Sequence, residues 1–222
     1  MSPKLLAAPS QEMSNTFGMQ RPTTCRTVLA AFLMAMTLAG TAIAGLFEDA
    51  SVAYERGDYA TALRLFQSLA SGGDGDAQFN VARMYETGQG APQDYAEALK
   101  WYRKAADQGV AAAQGNLADM YTKGEGVPRD YGEAAKWYRK AADQGDANAQ
   151  NNLGIMNAKG EGVPRDYVEA YKWLDLAASR YVTSEKENSD KVIKNRDLIA
   201  DKMTPAQIAE AQKRAREWKP TK

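Results

Sequence analysis

The sequence of 222 residues contains no histidine, and so lacks the side chain that most often serves as general base at neutral pH and as metal ligand. Its one cysteine is Cys25, which excludes a disulfide framework and any Cys/His metal site. Net charge is missing too: 28 basic residues balance 28 acidic ones, so no overall field draws the chain to nucleic acid or to an anionic membrane. What is present is an ordinary apolar content of 44 %, enough for one or two folded domains rather than a disordered chain.

The N-terminal segment carries the first signal. Arg21 and Arg26 precede the apolar run Val28-Leu29-Ala30-Ala31-Phe32-Leu33-Met34-Ala35-Met36, which continues through Leu38 to Ala42-Ile43-Ala44. A basic region, an apolar core and an A-x-A site in that order predict a cleaved signal peptide over residues 1–44. The expected mature chain begins at Gly45 and is periplasmic or envelope-associated, pointing to a Gram-negative bacterium. No membrane insertion is expected after cleavage. An uncleaved anchor helix is the competing reading, but Val28 to Ala44 is only 17 residues, at the short end for crossing a bilayer. The polar stretch ahead of Arg21 is long for a signal, which leaves Met1, Met13 and Met19 open as the start. Cys25 lies before the apolar run, so it is not the lipid-bearing cysteine that follows a lipoprotein signal.

Beyond residue 45 the chain repeats. Trp101, Trp137 and Trp173 are spaced by 36 residues, and the same step links Gln78, Gln114 and Gln150; Gly88, Gly124 and Gly160; and Asp94, Asp130 and Asp166. The octet Gly-Glu-Gly-Val-Pro-Arg-Asp-Tyr stands unchanged at 124–131 and 160–167. Each unit reads as two helices around a Gly/Pro loop. Ala113, Leu117, Met120 and Tyr121 share one face of the first helix, as Ala134, Trp137, Tyr138 and Ala141 do on the second. Asp94, Asp130 and Asp166 are placed to cap the second helix, with Glu97, Glu133 and Glu169 three residues on to complete a capping box. Gly109 and Gly145 can take the left-handed conformation that ends it. Ala98, Ala105, Ala106 and their equivalents allow close helix approach. So short a pair cannot bury its apolar face alone, so units must stack. The expectation is an all-α fold, a right-handed α-solenoid of helix-turn-helix repeats.

The expected organisation is an N-terminal capping hairpin at 45–71, repeats at 72–108, 109–144 and 145–180, and C-terminal capping helices at 181–222. The hairpin aligns at the same offset, with Leu65 in the tryptophan place and Phe66 in the tyrosine place. Near the end, Thr204-Pro205-Ala206-Gln207 is a strong helix start, with an N-cap threonine, proline at the first helical position and a capping-box glutamine.

These residues resemble the Sel1-like repeats, relatives of the tetratricopeptide repeats. The likeness rests on Ala-x-Ala-Gln-x-Asn-Leu at 111–117, Met120-Tyr121, Gly-x-Gly-Val-x-x-Asp-Tyr at 124–131 and Glu-Ala-x-Lys-Trp-Tyr-Arg-Lys-Ala-Ala at 133–142, and covers residues 74–180. Ala91 for the loop valine, Asn157 for the helix tyrosine and Leu174 for the second aromatic depart from it, and suggest looser packing in the third unit. The resemblance implies an adaptor that assembles or regulates complexes, often in the periplasm or at the envelope. It names no partner.

No residue is nominated as catalytic, cofactor-binding or metal-ligating. The repeated tryptophans read as core. Gly124-x-Gly126 is a loop rather than a phosphate cradle, since no strand precedes it and no Gly-Lys-Ser/Thr follows. Asn80, Asn116 and Asn152 recur one per unit, and either form a ladder on the concave surface that offers amides to a bound peptide backbone or satisfy neighbouring loops across the repeat interface. Positions that vary among otherwise repeated helices are the better candidates for specificity: Phe79/Gly115/Asn151 and Arg83/Asp119/Ile155. The candidate partner-binding set is therefore Phe79, Asn80, Arg83, Asn116, Asp119, Asn152 and Ile155, with an exposed Phe79 or Ile155 as an interface anchor. The expected function is a non-catalytic adaptor holding a segment of a protein partner on the concave face, with no cofactor and no nucleic acid. An envelope hydrolase acting on peptidoglycan is the rival; without histidine or a mature cysteine it would need a serine–lysine set or paired carboxylates, and no spacing assembles either. Binding of an envelope glycan through the tyrosines is a third, weaker reading.

Overall fold

Every regular element among the described residues is a helix, and each starts or stops where a side chain or a glycine dictates. The computed structural model describes residues 45–181 and 186–221, which belong to one unit, Ile43–Lys222. The expected signal segment lies outside the described residues. Residues 45–55 form α1. There follow α2 (Tyr59–Ser71), α3 (Gly75–Thr87), α4 (Tyr95–Asp107), α5 (Ala111–Lys123), α6 (Tyr131–Gln144), α7 (Ala147–Lys159), α8 (Tyr167–Arg180), α9 (Lys186–Ala200) and α10 (Pro205–Glu217). The pairs α3–α4, α5–α6 and α7–α8 are the three units, each an A helix followed by a B helix. Each helix from α2 to α8 packs on the next in sequence, and α10 returns to α8. The fold is an α-solenoid.

The aspartates cap as their positions require. The Asp94 carboxylate accepts from the backbone N–H of Ala96 and Glu97 at 2.9 and 3.0 Å, that of Asp130 from Glu133 at 3.0 Å, and that of Asp166 from Val168 and Glu169 at 2.8 and 3.1 Å. Such a cap stabilises a helix by about 1 kcal/mol. The glutamate half of the expected box does not form. Glu97, Glu133 and Glu169 turn instead to Lys100, Lys136 and Lys172, at 2.5, 2.6 and 2.8 Å. A lysine one turn along offers a full positive charge, which outcompetes a neutral backbone N–H for the carboxylate. The reciprocal box does form at α10, between Thr204 and Gln207.

A helices end on left-handed glycines, Gly88, Gly124 and Gly160, with φ of 72°, 78° and 77°. Two residues on, the second loop glycine joins one unit to the one before. Gly126 and Gly162 have φ of +70°, and a Cβ on either would fall on the backbone carbonyl of Tyr95 or Tyr131, the first residue of the preceding B helix. Only a residue without a side chain lets the loop sit that close.

The core runs the length of the stack. Ala98, Ala105, Ala134, Ala141, Ala170 and Ala177 are all fully buried, and they let the helices approach so that larger side chains interdigitate. Trp173 and Trp137 are buried, and Trp101 packs against two core clusters. The departures in the third unit are accommodated: Leu174 is 1 % exposed, and Asn157, buried in the tyrosine place, donates its amide to the Leu153 carbonyl at 2.7 Å. Apolar contacts continue into both ends. Phe47 of α1 meets Phe66 of α2 edge-on at 5.3 Å, while Val192, Ile199 and Ala211 bury against Ala170 and Leu174. Trp218 packs edge-on to Trp173 at 6.3 Å, and beyond it the Thr221 N–H donates to the Asp143 carbonyl at 2.8 Å.

Candidate functional site

Two polar ladders cross the stack, and only one reaches the surface. Gln78, Gln114 and Gln150 are buried and donate to the carbonyls of Ala70, Ala106 and Ala142 at 3.0–3.1 Å. The first two also accept from Gln108 and Gln144 at 2.7 and 2.8 Å. This ladder satisfies backbone and is structural.

The second ladder lines the face of the A helices. Tyr102 of α4 extends its hydroxyl between α3 and α5, donating to Glu86 Oε2 at 2.5 Å and accepting from Asn116 Nδ2 at 2.9 Å. One unit on, the Tyr138 hydroxyl donates to Asp119 Oδ1, and Asn152 Nδ2 reaches the same oxygen at 3.4 Å. Burial pushes both tyrosine hydroxyls well above their ordinary range, and the neighbouring carboxylates add to the effect, so they remain donors at any physiological pH. Burial likewise raises Asp119, against the opposing hydrogen bond from Tyr138.

The nominated residues divide along this ladder. Asn116, Asp119 and Asn152 come together, bridging neighbouring units while keeping part of their surface open. Asn80 stays local, donating to the Asp76 carbonyl at 2.9 Å, because its neighbour in the preceding unit is Phe66, which has no hydroxyl. Arg83 is exposed and lies 5.8 Å from the Phe79 ring centroid. Phe79 is not the exposed anchor its variable position suggests. Its ring is half-buried, 5.9 Å from that of Tyr102, because the B-helix tyrosine brings an aromatic surface that the A helix alone does not reveal. Ile155 is also half-buried, not exposed.

The substitution that breaks the repeat here has a geometric result. Phe79 fills its place in the first unit, whereas a Cβ built at Gly115 meets nothing within 4 Å. The missing ring leaves a recess of about 320 Å³ between α5 and α7, lined by Gly115, Asn116, Asp119, Tyr138, Asp146 and Asn152. A second recess of about 250 Å³ shares Asp119, Tyr138 and Asn152 and continues to Ile155 and Lys159. Together they make a groove with a polar wall. Asp146 and Lys159 escape a search for variable or laddered residues, because one caps a helix and the other resembles a solvated surface lysine. Chemically, the wall presents amides, hydroxyls and carboxylates, with Asp119 already engaged by Tyr138 and Asp146 by the Ala149 N–H, an arrangement suited to holding polar backbone and side chains.

A helical stack closed at both ends and opened along its A helices by a polar groove is the architecture of a repeat-built binding scaffold. The Sel1 repeat family model matches residues 42–74, 75–110, 111–146 and 147–181, and the chain belongs to that family. The first match takes in the hairpin of α1 and α2. Among solved structures, a Sel1 repeat protein from Oxalobacter formigenes is 29 % identical, with a TM-score of 0.64 over 78 % of this chain and 70 % of that one. A protective antigen present in uropathogenic Escherichia coli strains, displaying an SLR fold, is also 29 % identical, with a TM-score of 0.52 over 71 % of this chain. This chain spans 40 % of the antigen's length. No curated protein matches. Sel1 repeat proteins are generally protein-interaction adaptors, and no helix among the described residues is long and apolar enough to cross a membrane.

Proposed function

We propose that the chain is a non-catalytic adaptor of the periplasm or cell envelope that holds an extended segment of a partner protein in the groove between α5 and α7. The groove opened by Gly115 carries the reading. An extended segment exposes alternate side chains and unpaired backbone groups, and the Asn116, Asp119 and Asn152 wall offers both donors and acceptors to them. The location rests on the residue pattern from Arg21 to Ala44.

The test is affinity capture of the exported protein with envelope extract, followed by mass spectrometry. One stoichiometric partner is expected, and Gly115→Phe should release it, because the ring would fill the recess as Phe79 does one unit earlier. Gly115 lies in a helix with open space beyond its Cα, so the substitution blocks the groove without disturbing the core. Retention of the partner by Gly115→Phe, or turnover of purified peptidoglycan by the isolated protein, overturns the reading. N-terminal sequencing of the exported protein should begin at Gly45; an intact 28–44 segment would sink the export signal.

A further inference from the structure

Where the first two units build their polar wall, the third carries hydrocarbon. Ile155 stands where Arg83 and Asp119 do, Ala158 where Glu86 and Thr122 do, and Leu174 where Tyr102 and Tyr138 do, each 36 residues apart. The three changes are mutually consistent. With leucine and no hydroxyl at position 174 of α8, an acidic side chain at position 155 of α7 would lose the donor that Tyr138 gives Asp119, at the cost of an unpaired, partly buried charge. The result is a recess of about 220 Å³ floored by Ile155, Ala158, Leu174 and Ile199, with Leu198 of α9 at its edge. Leu198 is 52 % exposed.

The charged residues lining this recess are Lys159 and Lys202, and no carboxylate lines it. Lys159 reaches Glu161 only at 3.7 Å, with both side chains well exposed, a pairing that water largely screens. Lys202 lies 5.9 Å from the Tyr167 ring centroid and makes no ion pair among the described residues. An apolar floor rimmed by cations selects a partner that pairs hydrocarbon with negative charge. The recess shares Ile155 and Lys159 with the polar groove, so a segment lying in that groove runs directly into it.

We infer that this recess receives a leucine-, isoleucine- or valine-type side chain of the partner segment, flanked by aspartate or glutamate that meets Lys159 and Lys202. The inference rests on the groove reading above and specifies the chemistry at one end of it. A second copy of the chain is the competing occupant, since Val52, 36 % exposed, lies on one stripe of α1 with the exposed Glu48 and Glu55.

Two-dimensional NMR of the isotope-labelled protein tests it, with the peptide Gly-Ser-Glu-Leu-Glu-Ser-Gly as probe. Shifts should centre on Ile155, Ala158, Lys159, Leu198 and Lys202, and should vanish when the probe's leucine is alanine or its glutamates are lysines. Leu198→Asp, at an exposed site that leaves the fold intact, should abolish them. Lys159→Glu with Lys202→Glu should weaken the acidic probe about tenfold, as paired charges at a rim would, and admit the lysine probe. Equal response to the acidic and basic probes, or no response at these residues, overturns the inference. So do shifts there that change on dilution without peptide, which would put a second copy in the recess. Loss of the captured partner on Gly115→Phe together with full retention on Leu198→Asp would defeat this inference and leave the adaptor reading standing.

Discussion

Removing the Tyr138 hydroxyl tests the polar wall where it does most. In Tyr138→Phe the ring stays, so packing against the buried core is unchanged, and what disappears is the donor to Asp119 Oδ1. The remaining donor, Asn152 Nδ2, lies 3.4 Å away, too long to replace it. A hydrogen bond to a charged group contributes about 1.5–3 kcal/mol, and the opening of the groove to water argues for the lower half of that range, so a loss of about 2 kcal/mol is expected near neutrality. The loss should depend on pH in a definite direction. Burial already raises Asp119 in the folded chain, so folding is favoured most below the ordinary carboxylate range and is opposed increasingly as pH rises through the raised value. Without the hydroxyl that value rises further, which widens the window and deepens the penalty on its alkaline side. Below the window Asp119 is protonated in both proteins and the difference shrinks towards that of a neutral hydrogen bond. Urea unfolding followed by tryptophan fluorescence, near neutrality and in mild acid, measures both effects, and carboxyl NMR titration of Asp119 reads the shift directly. A loss under about 0.5 kcal/mol, or one equal at both pH values, would refute the wall as described.

Three further substitutions probe the scaffold. Gly126→Ala places a Cβ on the Tyr95 carbonyl at a positive φ and should cost about 2–4 kcal/mol by urea unfolding, whereas Gly115→Ala, in open space, should stabilise by up to about 1 kcal/mol. Glu169→Gln removes a carboxylate shared by Lys172 at 2.8 Å, Arg214 at 3.2 Å and Arg139 at 3.9 Å. Burial alone would raise Glu169, but the hydrogen bonds from Lys172 and Arg214 and the charge of Arg139 hold it below its ordinary value. Its stabilisation is therefore present above the ordinary glutamate range and is lost as pH falls through the lowered value. Thermal melts should show Glu169→Gln less stable than the parent near neutrality, by about 1 kcal/mol after screening, and equal to it in strong acid.

The solenoid was legible because its causes are local or periodic. A recurring tryptophan or alanine reports a shared burial, and an aspartate before a helix caps it through bonds only two or three residues long. The capping glutamates misled for the same reason: their competing partners, Lys100, Lys136 and Lys172, sit equally near, and spacing alone does not rank a charged donor above a neutral one. Asn116, Asp119 and Asn152 were visible as laddered or variable positions. The tyrosines that tie them across units, Tyr102 to Asn116 and Tyr138 to Asp119, were not, because those side chains arrive from other helices. Phe79 shows the same limit, since its burial depends on Tyr102. Gly115 departs from the repeat in the sequence itself, but the recess it opens is a difference in volume that becomes apparent only with α7 alongside. Leu198 lay outside the period altogether and had no repeat to be compared with.

Each Gly-x-Gly loop rests on a backbone carbonyl of the unit before it, a group that every residue type supplies. The seam between units is therefore indifferent to what their surfaces carry. Repeated stretches such as 124–131 and 160–167, identical in sequence, are also where unequal recombination would cut and rejoin, dropping or adding one whole block while restoring the same joint. A lineage built this way can lengthen its groove, or move a Gly115-like opening from one block to another, without solving the fold again. The glycine that forbids variation at the joint is what frees the rest of the block to vary.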